Sequence, residues 1–187
     1  MKCVFCKREI SDDSKFCEYC GTKVEIEEVV ENQYATEEVS NNTENSTETV
    51  ETIKDLKEIV DIYLPDFKYY NNELAWEYSK SPDYFEIVTK AIMEMAAQVV
   101  ENQFNENGIM TRGIIVRHLI LPNHIQNSKN ILKWIKENLP ENVMVSIMAQ
   151  YFPTHKAKEH HEINRKINKK EYKKLENYLY SLGLNEG

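Results

Sequence analysis

The run Gly113 to Pro122, GIIVRHLILP, narrows the choice of fold more than any other stretch of the chain. A nearly continuous apolar segment of this length, ended by proline, suits a strand buried on both faces better than one that is half exposed. Such strands belong to sheets flanked by helices, and helix patterns stand on either side. Upstream, SPDYFEIVTKAIMEMAAQVVENQF offers Ser81 as N-cap and Pro82 at the first helical position. It spaces Phe85, Val88, Ile92, Met95 and Val99 three and four residues apart, which predicts a helix with one buried face, closed by NENG. Downstream, NSKNILKWIKENLP carries Ile131, Leu132 and Ile135 and stops at Pro140.

The alternation continues outward. IVDIYLPDF, residues 59–67, and VMVSIMAQYFP, residues 143–153, both read as strands. NKKEYKKLENYLYSLG places Asn168 and Glu171 at capping-box spacing, offers Tyr172, Leu175, Leu179 and Leu182 for burial, and stops at Gly183. Three strand–helix pairs in succession predict an α/β fold with parallel strands and right-handed crossovers. Three strands are few for a parallel sheet that needs both faces covered. The sheet is therefore expected to be small or incomplete. Trp76 and Trp134 are expected to pack helices on the sheet. His155, His160 and His161 lie in a segment with eight Lys/Arg between Lys156 and Lys174, read as a solvated loop and helix face.

The N-terminus follows a different logic. Cys3-x2-Cys6 and Cys17-x2-Cys20 are the only cysteines in 187 residues. Two such knuckles converge four thiolates on one tetrahedral ion, and residues 1–23 are too few to fold by apolar burial alone. Two disulfides fit a cytoplasmic chain poorly, and a thioredoxin-like pair needs a surrounding fold that is missing here. Zinc is the favoured metal, with iron as the alternative for the same ligand set. The segment resembles short N-terminal zinc ribbons, in which the closed four-cysteine site is structural.

Residues 24–50 include TEEVSNNTENSTET, too polar to bury much surface, and read as an acidic flexible linker. Residues 51–187 form the second domain. Charge is segregated in the same way: residues 1–23 hold five Lys/Arg against four Asp/Glu, residues 24–58 two against eleven, and the remainder is balanced. The acidic segment would repel nucleic acid and anionic lipid, so neither is an expected partner. No stretch reaches the roughly 18 apolar residues of a membrane span, and no signal-peptide core is evident. The expected location is cytoplasmic.

Ligands of parallel α/β sheets bind at the carboxyl ends of the strands. Asp66 and Lys68, two residues apart, point to one face at the end of the first strand, and Arg117 interrupts the second; the third ends in Gln150, Tyr151 and Phe152. These charges either converge on an anionic or zwitterionic ligand or pair with one another.

IVDIYLPDFKYYNNELAWEYSKSPDYFEIV, GIIVRHLILPNHIQNSKNIL and VSIMAQYFPTHKAKEHHEINRKINKKEY resemble the C-terminal half of the radical S-adenosylmethionine proteins similar to pyruvate formate-lyase activating enzymes, from about Glu51 onward. The resemblance implies an incomplete (β/α) half-barrel, with these three strands the last three of a partial (β/α)6 barrel. It implies that Asp66 and Lys68 lie near S-adenosylmethionine and that Arg117 approaches its methionine portion. The family holds a [4Fe-4S] cluster through Cys-x3-Cys-x2-Cys, a motif this chain lacks, so no cluster is expected from this chain alone.

The reading that follows is a zinc-binding protein with a truncated radical S-adenosylmethionine domain, not catalytic alone, acting as a binding or interaction protein. The alternative is one half of a split enzyme completed by a second chain. Expected contacts are a protein partner, through the ribbon or the unpaired edge VDIYLPD, or self-association.

Overall fold

Burial along the Gly113–Pro122 run alternates instead of being continuous, and that alternation shows how the sheet is covered. The computed structural model describes residues 49–186 and Glu9. Met1–Ser40 and Asn41–Gly187 are two compact units, and the elements below belong to the second. The four-cysteine site and the linker up to residue 48 lie outside the described residues.

Strand β1 (Ile62–Tyr63) pairs parallel with one edge of β3 (Met110–Leu119), and β4 (Met144–Met148) pairs parallel with the other. Two short strands were not anticipated. β2 (Gln103–Phe104) pairs antiparallel with the start of β3, and β5 (Asn185–Glu186) pairs parallel with β4. Residues 49–55 are helical (α1), a helix that takes in the last two residues of the expected linker, residues 24–50. The remaining helices are α2 (Asn72–Ser79), α3 (Tyr84–Gln98), α4 (Ile125–Asn138) and α5 (Lys169–Ser181), with a 3-10 turn at His155–Glu159.

The last three helices cover one face. Ile114 and Val116 of β3, Val145 and Ile147 of β4, and Tyr63 and Phe67 pack against Ile92 and Ala96 of α3, Ile131, Leu132 and Ile135 of α4, and Leu175 and Leu179 of α5. Each fully buried Ile or Leu contributes about 2 kcal/mol, so this seam outweighs the weak caps at several helix ends. The opposite face carries Ile62 and Leu64, then Ile115, Arg117 and Leu119, then Met144, Ser146 and Met148. All are half-buried or exposed, and none of the six apolar members belongs to the core. The expectation of burial on both faces is thus corrected: the apolar run is continuous, but among the described residues the main core takes strand side chains from one face only.

Two further expectations are corrected. The helix expected from Ser81 begins at Tyr84, and its N-cap Asp83 makes no side-chain cap bond. The reason is α2, which the sequence did not announce. Its Asn72 Oδ1 accepts from Phe85 N at 2.9 Å, doing the work assigned to Ser81, whose hydroxyl instead donates to Ser79 O. NENG does not close that helix, which ends at Gln98; it turns the β2–β3 hairpin. Asn105 Oδ1 accepts from Asn107 N and Ile109 N, and Gly108 takes φ +74°, a left-handed conformation that favours glycine. Trp134 packs edge-on against Phe67, whereas Trp76 is 52% exposed with Lys80 Nζ 5.2 Å from its ring.

Candidate functional site

Pro65 has no amide hydrogen, so it cannot donate to the ladder in the middle of the first strand. Its carbonyl still accepts from Arg117 N at 2.8 Å, and Phe67 N donates to Arg117 O at 2.8 Å. The register therefore survives the gap. Ile62 faces Gly113, Tyr63 faces Ile114, and beyond the proline Asp66 faces Arg117. Opposite residues of parallel strands point to the same side, so Asp66 and Arg117 share the open face.

There they meet. Arg117 Nη2 lies 2.7 Å from Asp66 Oδ1, and Lys68 Nζ lies 3.5 Å from Oδ2. The side chains of Asp66, Lys68 and Arg117 are 32%, 42% and 41% exposed, and ion pairs this open contribute about 0–1 kcal/mol. The arginine contact lies off the hydrogen-bonding direction. Among the described residues, Asp66 Oδ1 and Arg117 Nε are buried atoms without a hydrogen-bond partner. The three charged residues singled out in the sequence are thus brought together, as an internal ion-pair cluster. Gln150, Tyr151 and Phe152 are engaged elsewhere: Gln150 Nε2 with Met148 Sδ, Tyr151 OH with Ile163 O, and the Phe152 ring beneath Lys166.

What holds the cluster lies behind the sheet. His118 is fully buried, with Nδ1 2.6 Å from Phe67 O and Nε2 2.8 Å from Ser128 Oγ. A carbonyl only accepts, so Nδ1–H donates to it and Nε2 accepts from the serine hydroxyl. Burial pushes the His118 pKa down to about 4, which keeps the ring neutral. Tyr84 OH accepts from Lys68 N at 2.8 Å and donates to Asp66 O at 3.2 Å, and burial pushes this phenol up to about 12. Asn127 donates to Lys68 O and accepts from Tyr70 N. Side chains from β3, α3 and α4 thus fix the backbone from Asp66 to Tyr70. None of these supports was identified from sequence, although a histidine inside an apolar strand was a visible signal for one of them.

A second hub ties neighbouring loops. Arg165 makes a bidentate contact with Glu171 at 2.7 and 2.9 Å and reaches Asn123 Oδ1 at 2.6 Å, while Asn123 N donates to Glu171 Oε1 at 3.1 Å. Hydrogen bonds from Arg165 lead the causes that hold the Glu171 carboxyl down at about 2. His160 of the basic segment stands 3.7 Å from Glu77. Among the described residues no group of three or more His, Cys, Asp or Glu could hold a metal ion, and no helix is long and apolar enough to cross a membrane.

Residues 2–24 match the zinc-ribbon domain; the chain carries such a domain at its N-terminus, and this points to zinc. Over 119 residues the chain is 38% identical to an uncharacterized protein of Methanocaldococcus jannaschii, a match that covers 63% of this chain and 31% of that protein. The chain thus spans about a third of that relative's length. No solved structure matches.

Proposed function

We propose that this is a zinc-binding protein whose residues 51–187 are the truncated C-terminal half of a radical S-adenosylmethionine domain, similar to those of pyruvate formate-lyase activating enzymes, and that it acts as a binding or interaction protein without catalysis of its own. Cys3, Cys6, Cys17 and Cys20 hold the zinc; four thiolates in two Cys-x2-Cys knuckles suit a closed structural site. The observation that carries the binding reading is the second sheet face, where the half-exposed Asp66–Lys68–Arg117 cluster sits among apolar residues that, among the described residues, join neither core cluster. Asp66, Lys68 and Arg117 are the residues that would meet S-adenosylmethionine, a zwitterionic cofactor whose charges a carboxylate, an ammonium and a guanidinium in one half-exposed cluster can match. No cysteine lies in a Cys-x3-Cys-x2-Cys arrangement, so the chain alone does not assemble the [4Fe-4S] centre that reductive cleavage requires.

Anaerobic reconstitution with iron and sulfide tests this. The zinc-loaded chain is expected to form no stable cluster chromophore and to release no 5′-deoxyadenosine. A stable cluster with cofactor cleavage by this chain alone would sink the proposal.

A second reading, one half of a split radical enzyme completed by another polypeptide, is favoured by the relative in which the matched region is 31% of the chain. It requires co-purification with a protein bearing Cys-x3-Cys-x2-Cys, and cleavage in the mixture only.

A further inference from the structure

We propose that Asn107 is a site of spontaneous covalent modification. Its side-chain nitrogen is lost as ammonia through attack by the Gly108 amide nitrogen, leaving aspartate and isoaspartate, at a rate set by opening of the β2–β3 hairpin. Asn107-Gly108 is the one Asn-Gly pair in the 187 residues, and both residues are exposed in the hairpin turn. Ring closure needs a following residue whose nitrogen is uncrowded and whose backbone turns freely. Glycine meets both needs, and nothing lies within 4 Å of where a Cβ would stand on Gly108. By contrast Asn127, followed by the small residue Ser128, is closed off: its carboxamide is held by Lys68 O and Tyr70 N, and Ser128 is fully buried. In the reaction, hydroxide takes the proton of Gly108 N and the nitrogen attacks Asn107 Cγ. The new N–Cγ bond closes a succinimide as Cγ–Nδ2 breaks, and Nδ2 leaves as ammonia with a proton from water, which restores the hydroxide. A further water opens the ring. Attack at Cγ gives aspartate; attack at the main-chain carbon gives isoaspartate, whose backbone runs through Cγ and is one carbon longer. Nothing is oxidised or reduced, and water is the co-reactant.

The closed turn restrains this chemistry. Gly108 N donates to Asn105 O at 2.9 Å, while Asn105 Oδ1 accepts from Asn107 N at 3.0 Å and from Ile109 N at 2.9 Å. The nucleophile is thus engaged, and the peptide plane that must rotate is pinned on both sides. What keeps the turn shut is slight. β2 is two residues long, both exposed, and its pairing with β3 carries a register shift between Gln103 and Phe104. Phe104 is 50% exposed and joins neither core cluster. A hairpin without a buried anchor on its short strand opens far more often than the core does, and each opening frees Gly108 N. Isoaspartate, once formed, does not let the turn close as before. Its added backbone carbon moves Ile109 N relative to Asn107 N, and Asn105 Oδ1 no longer meets both.

The test is incubation of the full, zinc-loaded chain at neutral and mildly alkaline pH, followed by peptide mapping in a mass spectrometer. A gain of one mass unit at Asn107 is expected, faster at the higher pH and faster in urea than in buffer, with isoaspartate identified by enzymatic methylation of its free carboxyl. Asn105→Ala should raise the native rate about tenfold, as the loss of two ordinary hydrogen bonds from the closed turn implies. Asn105→Asp keeps an acceptor oxygen and should stay near wild type. Gly108→Ala should react about tenfold more slowly although its turn is looser, because a Cβ crowds the attacking nitrogen and restricts its rotation. Hydrogen exchange at Ile109 N should quicken as isoaspartate accumulates. Circular dichroism of each variant verifies folding. Asn107 that stays intact in the native chain while the urea-unfolded chain is converted overturns the site. Equal rates in the native chain, the unfolded chain and Asn105→Ala overturn control by the hairpin.

Discussion

Arg117 and His118 are adjacent in the chain and face opposite sides of one strand, and their environments give them different roles. Arg117 shares an open face with a carboxylate; His118 is sealed beneath α4 and bonds the end of the first strand to Ser128. His118→Leu strands Phe67 O and the Ser128 hydroxyl in the interior and should cost about 2–3 kcal/mol in urea denaturation at pH 7. The acid response follows from two groups. An unfolded histidine titrates near 6.5 and the folded one at about 4, so its contribution is complete above pH 6.5 and is lost as pH falls through 4. Glu171, held at about 2 against an ordinary 4.5, contributes fully above 4.5 and loses that contribution as pH falls toward 2. Stability measured from pH 7 to 2 should therefore decline in two overlapping limbs, the first absent in His118→Leu and the second in Glu171→Gln. Glu171→Gln should also cost about 2 kcal/mol near neutrality, through its lost charge-assisted bonds to Arg165. The meeting of Asp66, Lys68 and Arg117 was legible in sequence because strand alternation fixes which side a residue faces. Whether they bind one another or a ligand depends on distances, which alternation does not contain.

At the scale of elements, local chemistry was readable and borrowed chemistry was not. The capping box of α5 stood in the sequence because its donor and acceptor lie three residues apart, and the structure has both bonds: Glu171 N donates to Asn168 Oδ1, and Asn168 N donates to Glu171 Oε2. The start of α3 was misplaced because an amide there is met by Asn72, thirteen residues upstream on another helix. α2 itself escaped notice because Ala75 is its one buried residue, too little to make an apolar period. The β2–β3 hairpin was hidden by a turn whose residues serve equally well to end a helix. At Gly108, with φ +74° and nothing within 4 Å of a Cβ, the cost of a side chain is backbone strain alone. Gly108→Ala should lower stability by about 1 kcal/mol, read as a shift in the denaturation midpoint without a change of slope.

For the whole molecule, two compact units predict two separable events. A structural zinc site contributes folding energy only to the unit that contains it. Elemental analysis should find about one zinc per chain, as expected for a single four-thiolate site. Cys17→Ser or a strong chelator should remove that zinc while leaving the unfolding transition of residues 49–186 where it was; a coincident shift would mean that the units are coupled. The parallel pairing of β1, β3 and β4 follows from the strand–helix alternation, whereas the half-buried state of the second face among the described residues does not, since apolar residues are written identically whether a neighbour covers them or not. The interrupted pairing at Pro65 has a consequence for assembly. β1 offers two residues of regular ladder and one bridge beyond the proline, a short grip with little to resist misalignment. Yet sliding it by one position would drive Asp66 under α4 and throw Phe67 into water, exchanging a fully buried ring for a stranded carboxylate. The strand thus carries its own proofreading: in any neighbouring frame the two sides of the sheet would reject it for opposite reasons.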